Sequence, residues 1–225
     1  MASGKFEEKE TLVFRELIQS CDILVNAGAN VGYYCCHALD LDKEVIAIEP
    51  IRRNLHYLLT NLRVNGWSEM AEVFPLALAN HTDILKIWGG QTGASIVKGW
   101  ASIPESYFEY VPVMTLDRIL QQRLHGLKPL IMVDIEGAEF QMLKGAKNTL
   151  SHEPRPIWMI EIAFAENQPG NVEINSQFES TFKMMFEAGY NAYLPGNELE
   201  QLSIADIHRA VQQKTPFPSY TFIFK

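Results

Sequence analysis

The stretch NAGANVG at residues 26–32 decides the fold class of this chain. It follows the short apolar run ILV at residues 23–25 and leads into residues 31–39, whose apolar spacing predicts a helix. A buried strand, a glycine turn and a helix in that order are typical of α/β folds that bind a ligand at the carboxyl ends of parallel strands. The free amides of the helix N-terminus favour a carboxylate or a phosphate.

The same alternation of strands and helices continues along most of the 225 residues. Further strands are predicted at residues 44–48, 71–76, 130–133, 157–162, 190–194 and 220–224, with an extra strand at 83–88. Helices are predicted at residues 6–19, 51–64, 115–122, 139–150 and 177–188. We therefore expect an α/β fold with a mainly parallel sheet, and an antiparallel edge strand within the final pair.

No repeat or linker divides the chain, so a single domain over residues 1–225 is predicted, with an N-terminal helix at 1–20. Residues 89–110 interrupt the alternation and are a candidate insertion for substrate binding or a lid. The aromatic residues in and next to this segment fit either a lid over an organic substrate or an auxiliary core patch; they are Trp88, Trp100, Tyr107, Phe108 and Tyr110.

Charge and composition exclude several classes of protein. The net charge is −8, from 27 acidic and 19 basic residues, so we expect no nucleic-acid partner. No apolar run approaches the roughly 20 residues that span a bilayer, so no membrane association is expected. The polar start lacks a secretory signal, and Cys21, Cys35 and Cys36 form neither a disulfide framework nor a metal motif. A cytoplasmic location is the expectation.

The glycine turn does not match the dinucleotide-binding fingerprint. Gly28 and Gly32 leave room for close approach of backbone to a ligand and of helix to strand. Counting from Gly28, however, the second and third glycine positions hold Asn30 and Tyr33. The sequence therefore disfavours a pyrophosphate and remains compatible with a smaller ligand that carries one carboxylate. A tight turn without any ligand is the alternative.

The end of the second predicted strand carries an acidic residue, Glu49, followed by Pro50. A carboxylate at this place can accept hydrogen bonds from both hydroxyls of a ribose. The alternative is a solvated carboxylate that stabilises the start of the next helix. Together with the glycine turn, Glu49 predicts a nucleoside-like ligand.

Carboxylates also follow the fourth and fifth predicted strands. VDIEGAE at residues 133–139 places Asp134, Glu136 and Glu139 within six residues, and Glu161 lies in an apolar run. An unpaired charge there is costly, so we expect Glu161 to face the same crevice as Asp134. Asp134 and Glu161 are candidate ligands for a Mg²⁺ that lowers the pKa of a hydroxyl, or one of them takes the hydroxyl proton directly. Glu139 fits better as an acidic residue in the first turn of the next helix.

Several segments together resemble the FkbM-type S-adenosylmethionine-dependent methyltransferases. They are NAGANVGYYC at 26–35, IEPIRRNLHYLLTNLRVNG at 48–66, VMTLDRIL at 113–120, VDIEGAEFQMLKGAKNTL at 133–150, EAGY at 187–190 and YTFIFK at 220–225. The likeness covers residues 10–224. It implies a class I methyltransferase Rossmann-like sheet, mainly parallel and seven-stranded, with one antiparallel strand near its edge.

The resemblance also implies a function and a site. The family transfers methyl groups from S-adenosylmethionine to hydroxyl oxygens of sugars, polyketides and related secondary metabolites, so a small-molecule hydroxyl acceptor is expected. Asp134, Glu136 and Glu161 are the candidate catalytic residues. The implied cofactor contacts are Asn26, Gly28, Ala29, Asn30 and Gly32 for the loop, Glu49, Pro50 and Asn54 for the second motif, Ala77 and Leu78 beside the adenine, and Asp134 beside the methyl group.

Two positions depart from the family pattern. Asn26 stands where the family usually has Asp; it keeps one acceptor oxygen and loses the charge, so a reduced cofactor affinity is expected. Met132 stands where a lysine often precedes the fourth-strand Asp. Two alternative functions remain: a scaffold protein that binds the cofactor without catalysis, and a nicotinamide-dependent oxidoreductase.

Overall fold

A computed structural model describes residues 7–196 and 199–225. The helices are α1 Glu8–Gln19, α2 Tyr33–Leu39, α3 Arg52–Val64, α4 Leu116–Leu120, α5 Glu139–Lys144, α6 Lys147–Leu150, α7 Phe178–Glu187 and α8 Ile204–Gln213. The strands are β1 Ile23–Ala27, β2 Glu44–Ile48, β3 Ala71–Phe74, β4 Ala77–Leu78, β5 Asp83–Trp88, β6 Phe108–Met114, β7 Pro129–Val133, β8 Ile157–Glu161, β9 Ala192–Leu194, β10 Glu200–Leu202 and β11 Thr221–Phe224. Residues 1–6 of the predicted N-terminal helix lie outside the described residues.

The main sheet confirms the predicted mainly parallel architecture. Its strand order is β10-β9-β11-β8-β7-β1-β2-β3, and the neighbours from β8 to β3 all pair in parallel. The predicted antiparallel strand is β11, which lies between β8 and β9 rather than at the edge. The sheet has eight strands instead of seven, because the short strand β10 pairs with β9 at one edge.

Apolar clusters cover both faces of the central strands. All five residues of β1 and all five of β7 are buried. Along β1, Ile23 and Val25 belong to one cluster and Leu24 to the other. Neighbouring strand residues point to opposite faces, so helices must pack on each side of this sheet. This explains why the central strands are continuous apolar runs.

A second, three-stranded sheet lies within the segment between β3 and β7. Its order is β4-β6-β5, with β4 parallel and β5 antiparallel to β6. The extra strand predicted at 83–88 is confirmed as β5. Residues 108–110, which were predicted to belong to the insertion, form the start of β6. The irregular connection is therefore shorter, at residues 89–107.

Two features of the helices differ from the prediction. The helix predicted at 139–150 is divided into α5 and α6, and the carboxylate of Asp117 accepts the backbone amides of Asn148 and Thr149, each at 2.9 Å, at the start of α6. Helix α8 was not predicted, although Ser203 and Asp206 form a capping box at its N-terminus. Within the described part of the chain, no helix combines the length and the apolar character needed to cross a bilayer.

Candidate active site

The glycine turn after β1 lies against the residue that follows β7. Gly28 has a φ of 82°, and a Cβ at this position would lie 1.8 Å from the backbone oxygen of Asp134. The amides of Gly28 and Ala29 both donate to the carbonyl of Ile48, at 2.9 and 3.0 Å. The ends of β1, β2 and β7 are therefore held together at one edge of the sheet, and no side chain fits at residue 28.

Gly32 is required for packing between helices. Its φ is 85°, and an added Cβ would lie 2.4 Å from Cδ1 of Leu58 on α3. Gly32 and the buried Ala29 do not line the cleft described below, so a direct cofactor contact by either residue stays a prediction.

Glu49 is a buried carboxylate that the surrounding chain holds in place. It is 4% exposed. Its Oε2 accepts the amide of Asn30 at 2.8 Å, and its Oε1 accepts the amide of Ile51 at 2.8 Å and Nδ2 of Asn54 at 3.2 Å. Burial raises the pKa of Glu49, and these hydrogen bonds oppose the rise by favouring the ionised form. The second strand end is thus tied to the glycine turn through one side chain.

A cleft of about 570 Å³, open to solvent, lies between these strand ends. Eight of the residues predicted to bind a cofactor line it: Gly28, Asn30, Glu49, Pro50, Asn54, Ala77, Leu78 and Asp134. The opposite wall comes from β5 and the connection that follows it, through Ile87, Thr92, Ala94 and Ile96. From the sequence, that connection was predicted to bind the substrate or to form a lid. Its position in the wall of this cleft was not predicted.

Asn26 lies within β1 rather than in the turn. Its side chain is buried, and Nδ2 donates to Sγ of Cys35 on α2 at 3.5 Å. Burial is the main cause that raises the pKa of Cys35 to about 12, so this thiol stays neutral and accepts the hydrogen bond. Asn26 does not line the cleft. The asparagine is therefore satisfied within the protein, and its contact with a cofactor stays a prediction.

A second cavity, of about 610 Å³, adjoins the cleft and is lined by carboxyl groups. Asp134 and Glu136 line both cavities, and Glu139, Glu161 and Glu166 line this one as well. Glu161 is the last residue of β8, as expected from its place in the apolar run. Asp134 and Glu136 thus lie where the two cavities meet, and Glu161 lines the second cavity with them.

The turn after β7 is fixed by residues of the 89–107 connection. Nε1 of Trp100 donates to Oε2 of Glu136 at 2.7 Å, and Oγ of Ser95 donates to the backbone oxygen of Glu136 at 2.5 Å. Trp100 also packs on Gly137, where a Cβ would lie 2.4 Å from Cζ3 of the indole. Trp100 is 2% exposed, so it is a structural part of the pocket wall. Of the other aromatic residues at or near the ends of this connection, Trp88 is half-buried, whereas Tyr107, Phe108 and Tyr110 are exposed.

The carboxyl groups in the second cavity bind protons more tightly than free carboxyls do. Burial is the largest cause of the raised pKa of Asp134, followed by the charges of Glu136 and Glu139. Burial also dominates for Glu161, whose pKa is raised further by the charge of Asp134. Burial raises the pKa of Glu139 to about 7, although Oε1 accepts the amide of Gly137 at 2.9 Å. At neutral pH, Asp134 and Glu161 titrate as a pair that retains a proton.

Among residues 7–196 and 199–225, no group of three or more His, Cys, Asp or Glu side chains has an arrangement that could hold a metal ion. A magnesium site formed by Asp134 and Glu161 therefore gains no further ligand from the described residues, and it stays a prediction.

The sequence model of the family described as "Methyltransferase FkbM domain" matches residues 26–192 of this chain. The chain belongs to the FkbM methyltransferase family. The matched region begins in β1 and ends in β9, so it includes all the lining residues of the two cavities except Tyr220. This confirms the family resemblance that the motifs predicted. No curated protein matches the sequence significantly.

Solved structures support the fold. The FkbM methyltransferase of Methylobacillus flagellatus KT superposes with a TM-score of 0.57 at 17% identity, over 91% of this chain and 44% of that protein. This FkbM-family chain therefore spans less than half the length of that relative. The methyltransferase domain of bacterial CtHen1-C gives a TM-score of 0.52 at 11% identity, over 97% and 96% of the two chains.

An rRNA methylase of Streptococcus thermophilus is also similar, with a TM-score of 0.43 at 13% identity, over 95% and 92% of the two chains. A TM-score this low supports no conclusion about substrates. The expected absence of a nucleic-acid partner therefore stays a prediction.

Proposed function

We propose that this FkbM-family chain is an S-adenosylmethionine-dependent O-methyltransferase that acts on a hydroxyl of a sugar, a polyketide or a related secondary metabolite. One observation carries the proposal: Asp134 and Glu136 line both the cleft beside Glu49 and the adjoining acidic cavity. A transferase needs a cofactor site and an acceptor site that meet at the group which accepts the proton.

The cleft fits the cofactor in its chemistry. Glu49 is fixed by Asn30, Ile51 and Asn54. Its Oε1 accepts two of these hydrogen bonds and its Oε2 accepts one, so Oε2 keeps a lone pair for a hydroxyl of a ribose. Buried apolar side chains supply walls suited to an adenine ring; they are Ala77, Leu78 and Ile87. Gly28 lines the cleft, and its lack of a side chain lets the turn pack directly against the backbone of Asp134.

The carboxyl groups between the cleft and the second cavity can accept a proton and orient the acceptor hydroxyl. When bound, S-adenosylmethionine supplies a methyl group on a positively charged sulfonium. On transfer of that methyl group, the proton of the acceptor hydroxyl would pass to a carboxylate of this chain. Asp134 is the proposed proton acceptor, with Glu161 or Glu136 orienting the hydroxyl.

The protonation state of the pair is consistent with this role. Because Asp134 and Glu161 have raised pKa values, they retain a proton between them in the empty site. A positive charge in the adjoining cleft would favour the ionised form of Asp134. We therefore propose that binding of a cationic cofactor leaves Asp134 ionised and able to accept the proton of the acceptor.

We assign no step to a metal, because the candidate pair Asp134 and Glu161 has no further ligand from the described residues. The proposed acceptor is a small molecule rather than a nucleic acid. No Lys, Arg or His is among the described residues that line the acidic cavity, so its carboxylates would repel a phosphate backbone.

Two measurements test the proposed function. In a thermal shift assay, S-adenosylhomocysteine should raise the melting temperature and NADH should not, because only a ligand of the folded state stabilises it. Mass spectrometry with methyl-deuterated cofactor and a panel of glycosylated and polyketide-like alcohols should then detect labelled product. A shift with NADH alone would point to an oxidoreductase. Cofactor binding without transfer to any member of the panel would favour the scaffold alternative.

A further inference from the structure

The acidic cavity continues beyond Asp134 and Glu161 towards the N-terminal helix. A third cavity, of about 660 Å³, shares Asp134, Glu161 and Tyr220 with the acidic cavity. Its other side is formed by Glu7 and by residues of α1 and α2. We call the two joined cavities the acidic channel.

The acidic channel is lined by carboxyl groups, and no cationic side chain of its walls offsets the charge that they carry. Seven carboxyl groups line it, and among the described residues that line it there is no Lys, Arg or His: Glu7, Glu10, Asp134, Glu136, Glu139, Glu161 and Glu166. The main charge effects on Asp134 and Glu161 come from other carboxylates. Uncompensated charges of one sign in a confined space favour a ligand of the opposite sign.

Two of these side chains also lack partners. Most of the neighbouring carboxylates accept hydrogen bonds: Glu139 from Gly137, Glu136 from Trp100, Glu7 from Tyr34 and Glu166 from the amides of residues 164 and 165. Asp134 and Glu161 accept no side-chain hydrogen bond and form no ion pair within residues 7–196 and 199–225. Asp134 and Glu161 are each only partly exposed, and the space that they face is that of the cavities.

A carboxyl that is partly withdrawn from solvent and has no partner is unfavourable for the folded state. The two unpartnered groups lie next to each other and both line the channel. A protonated amine would supply the missing interactions, because it carries three donors and a positive charge. A neutral hydroxyl compound would supply hydrogen bonds and leave the charge uncompensated.

We propose that the acceptor is a hydroxyl compound that carries a protonated amine, such as an amino sugar or an aminocyclitol, with the ammonium in the acidic channel beside Asp134 and Glu161. This inference rests on the proposed function and narrows its substrate class. The hydroxyl to be methylated then lies on the side of Asp134 that faces the cleft, and the charge on the acceptor selects it against neutral sugars and polyketides.

Calorimetry tests this with the chain saturated with S-adenosylhomocysteine. The probes are the methyl glycoside of glucosamine and deoxystreptamine, each paired with its N-acetyl derivative, at a pH where the amines are protonated. At least one amine should bind on the order of tenfold or more tightly than its neutral derivative. Equal or weaker binding of both amines would overturn the proposal.

A variant that removes one negative charge tests whether the ammonium binds beside Asp134 and Glu161. In Glu161→Gln the preference for the amine should fall to a few-fold, while the affinity for S-adenosylhomocysteine stays near that of the wild type and reports a folded cleft. The control Glu16→Gln removes one negative charge from an exposed position on α1 that does not line the channel. It should keep the full preference. An unchanged preference in Glu161→Gln would contradict the assignment of the ammonium to this pair.

Different results would contradict the proposed function and the proposed substrate class. If S-adenosylhomocysteine does not bind the wild type, the proposed function falls. If it binds and the amines show no preference over their N-acetyl derivatives, the proposed function stands and only the substrate class is wrong.

Discussion

Gly28 packs against the backbone of Asp134 so closely that a Cβ on residue 28 would lie 1.8 Å from the carbonyl oxygen of residue 134. The first residue is part of the turn that borders the proposed cofactor, and the second is the proposed proton acceptor. Since the two backbones touch, the turn sets the position of Asp134 along the edge of the sheet. One glycine contact would thus link the proposed cofactor site to the proposed proton acceptor.

The Gly28 contact predicts a large loss of stability on substitution. Gly28→Ala combines a left-handed backbone with a clash against backbone, so we expect a decrease in the free energy of unfolding of about 3 kcal/mol or more. The matched control is Gly66→Ala, which also has a positive φ, of 76°, and no atom within 4 Å of the added Cβ. It should lose about 1–2 kcal/mol. Urea denaturation measures both, and equal losses would contradict the packing argument.

Removal of the Asp134 charge should affect catalysis far more than cofactor binding. In Asp134→Asn the shape is kept and the proton acceptor is lost, so we expect kcat to fall about 10²–10³-fold. The dissociation constant for S-adenosylhomocysteine should change only a few-fold. Glu16→Gln serves as the control for a lost negative charge. Parallel losses of kcat and affinity in Asp134→Asn would leave Asp134 a binding role only.

The raised pKa values of Asp134 and Glu161 predict that stability decreases with pH. A carboxyl whose pKa is higher in the folded state contributes stability that is fully present below its unfolded pKa, near 4, and is lost as pH rises through the folded value. The free energy of unfolding should therefore fall between about pH 5 and pH 9.

The double variant Asp134→Asn/Glu161→Gln tests the source of that pH dependence. It should flatten the curve of unfolding free energy against pH by at least about 1.4 kcal/mol, the equivalent of one pKa unit. Urea denaturation at a series of pH values gives the comparison. A wild-type curve that rises over this range, or a double variant with an unchanged slope, would show that the pair does not titrate as described.

Chelation should leave the enzyme active. Since Asp134 and Glu161 gain no further metal ligand from the described residues, we expect the rate of methyl transfer in excess EDTA to equal the untreated rate. The affinity for S-adenosylhomocysteine should also stay the same. Loss of transfer with EDTA and its return with Mg²⁺ would instead support the magnesium hypothesis raised by the sequence.

The sequence predicted the parts of the fold that depend on local pattern. The apolar runs of β1, β7 and β8 are buried on both faces, so their composition alone identified them as central strands. Glu49 and Glu161 were expected at strand ends because each carboxylate ends or follows an apolar run. Their positions at one edge of the sheet then follow from the parallel arrangement.

The remaining features depend on contacts between distant segments. Asn26 pairs with Cys35, and Gly32 packs against Leu58, which are contacts that the loop motif does not indicate. Trp100 holds Glu136 across 36 positions of sequence. The edge strand β10 has one buried residue, Leu202, so its apolar pattern is too weak to identify it. Such contacts are set by the assembled fold rather than by local spacing.

The most direct test of the central claim is calorimetry of S-adenosylhomocysteine binding to the wild type and to Glu49→Gln. Glutamine keeps the size of the side chain but replaces one carboxylate oxygen, which accepts hydrogen bonds, by an NH2 group, which donates them. That NH2 group would face either the backbone donors or the ribose. The account predicts binding at one site in the wild type and an affinity lower by about tenfold or more in the variant. No binding to the wild type, or the same affinity in both proteins, would contradict it.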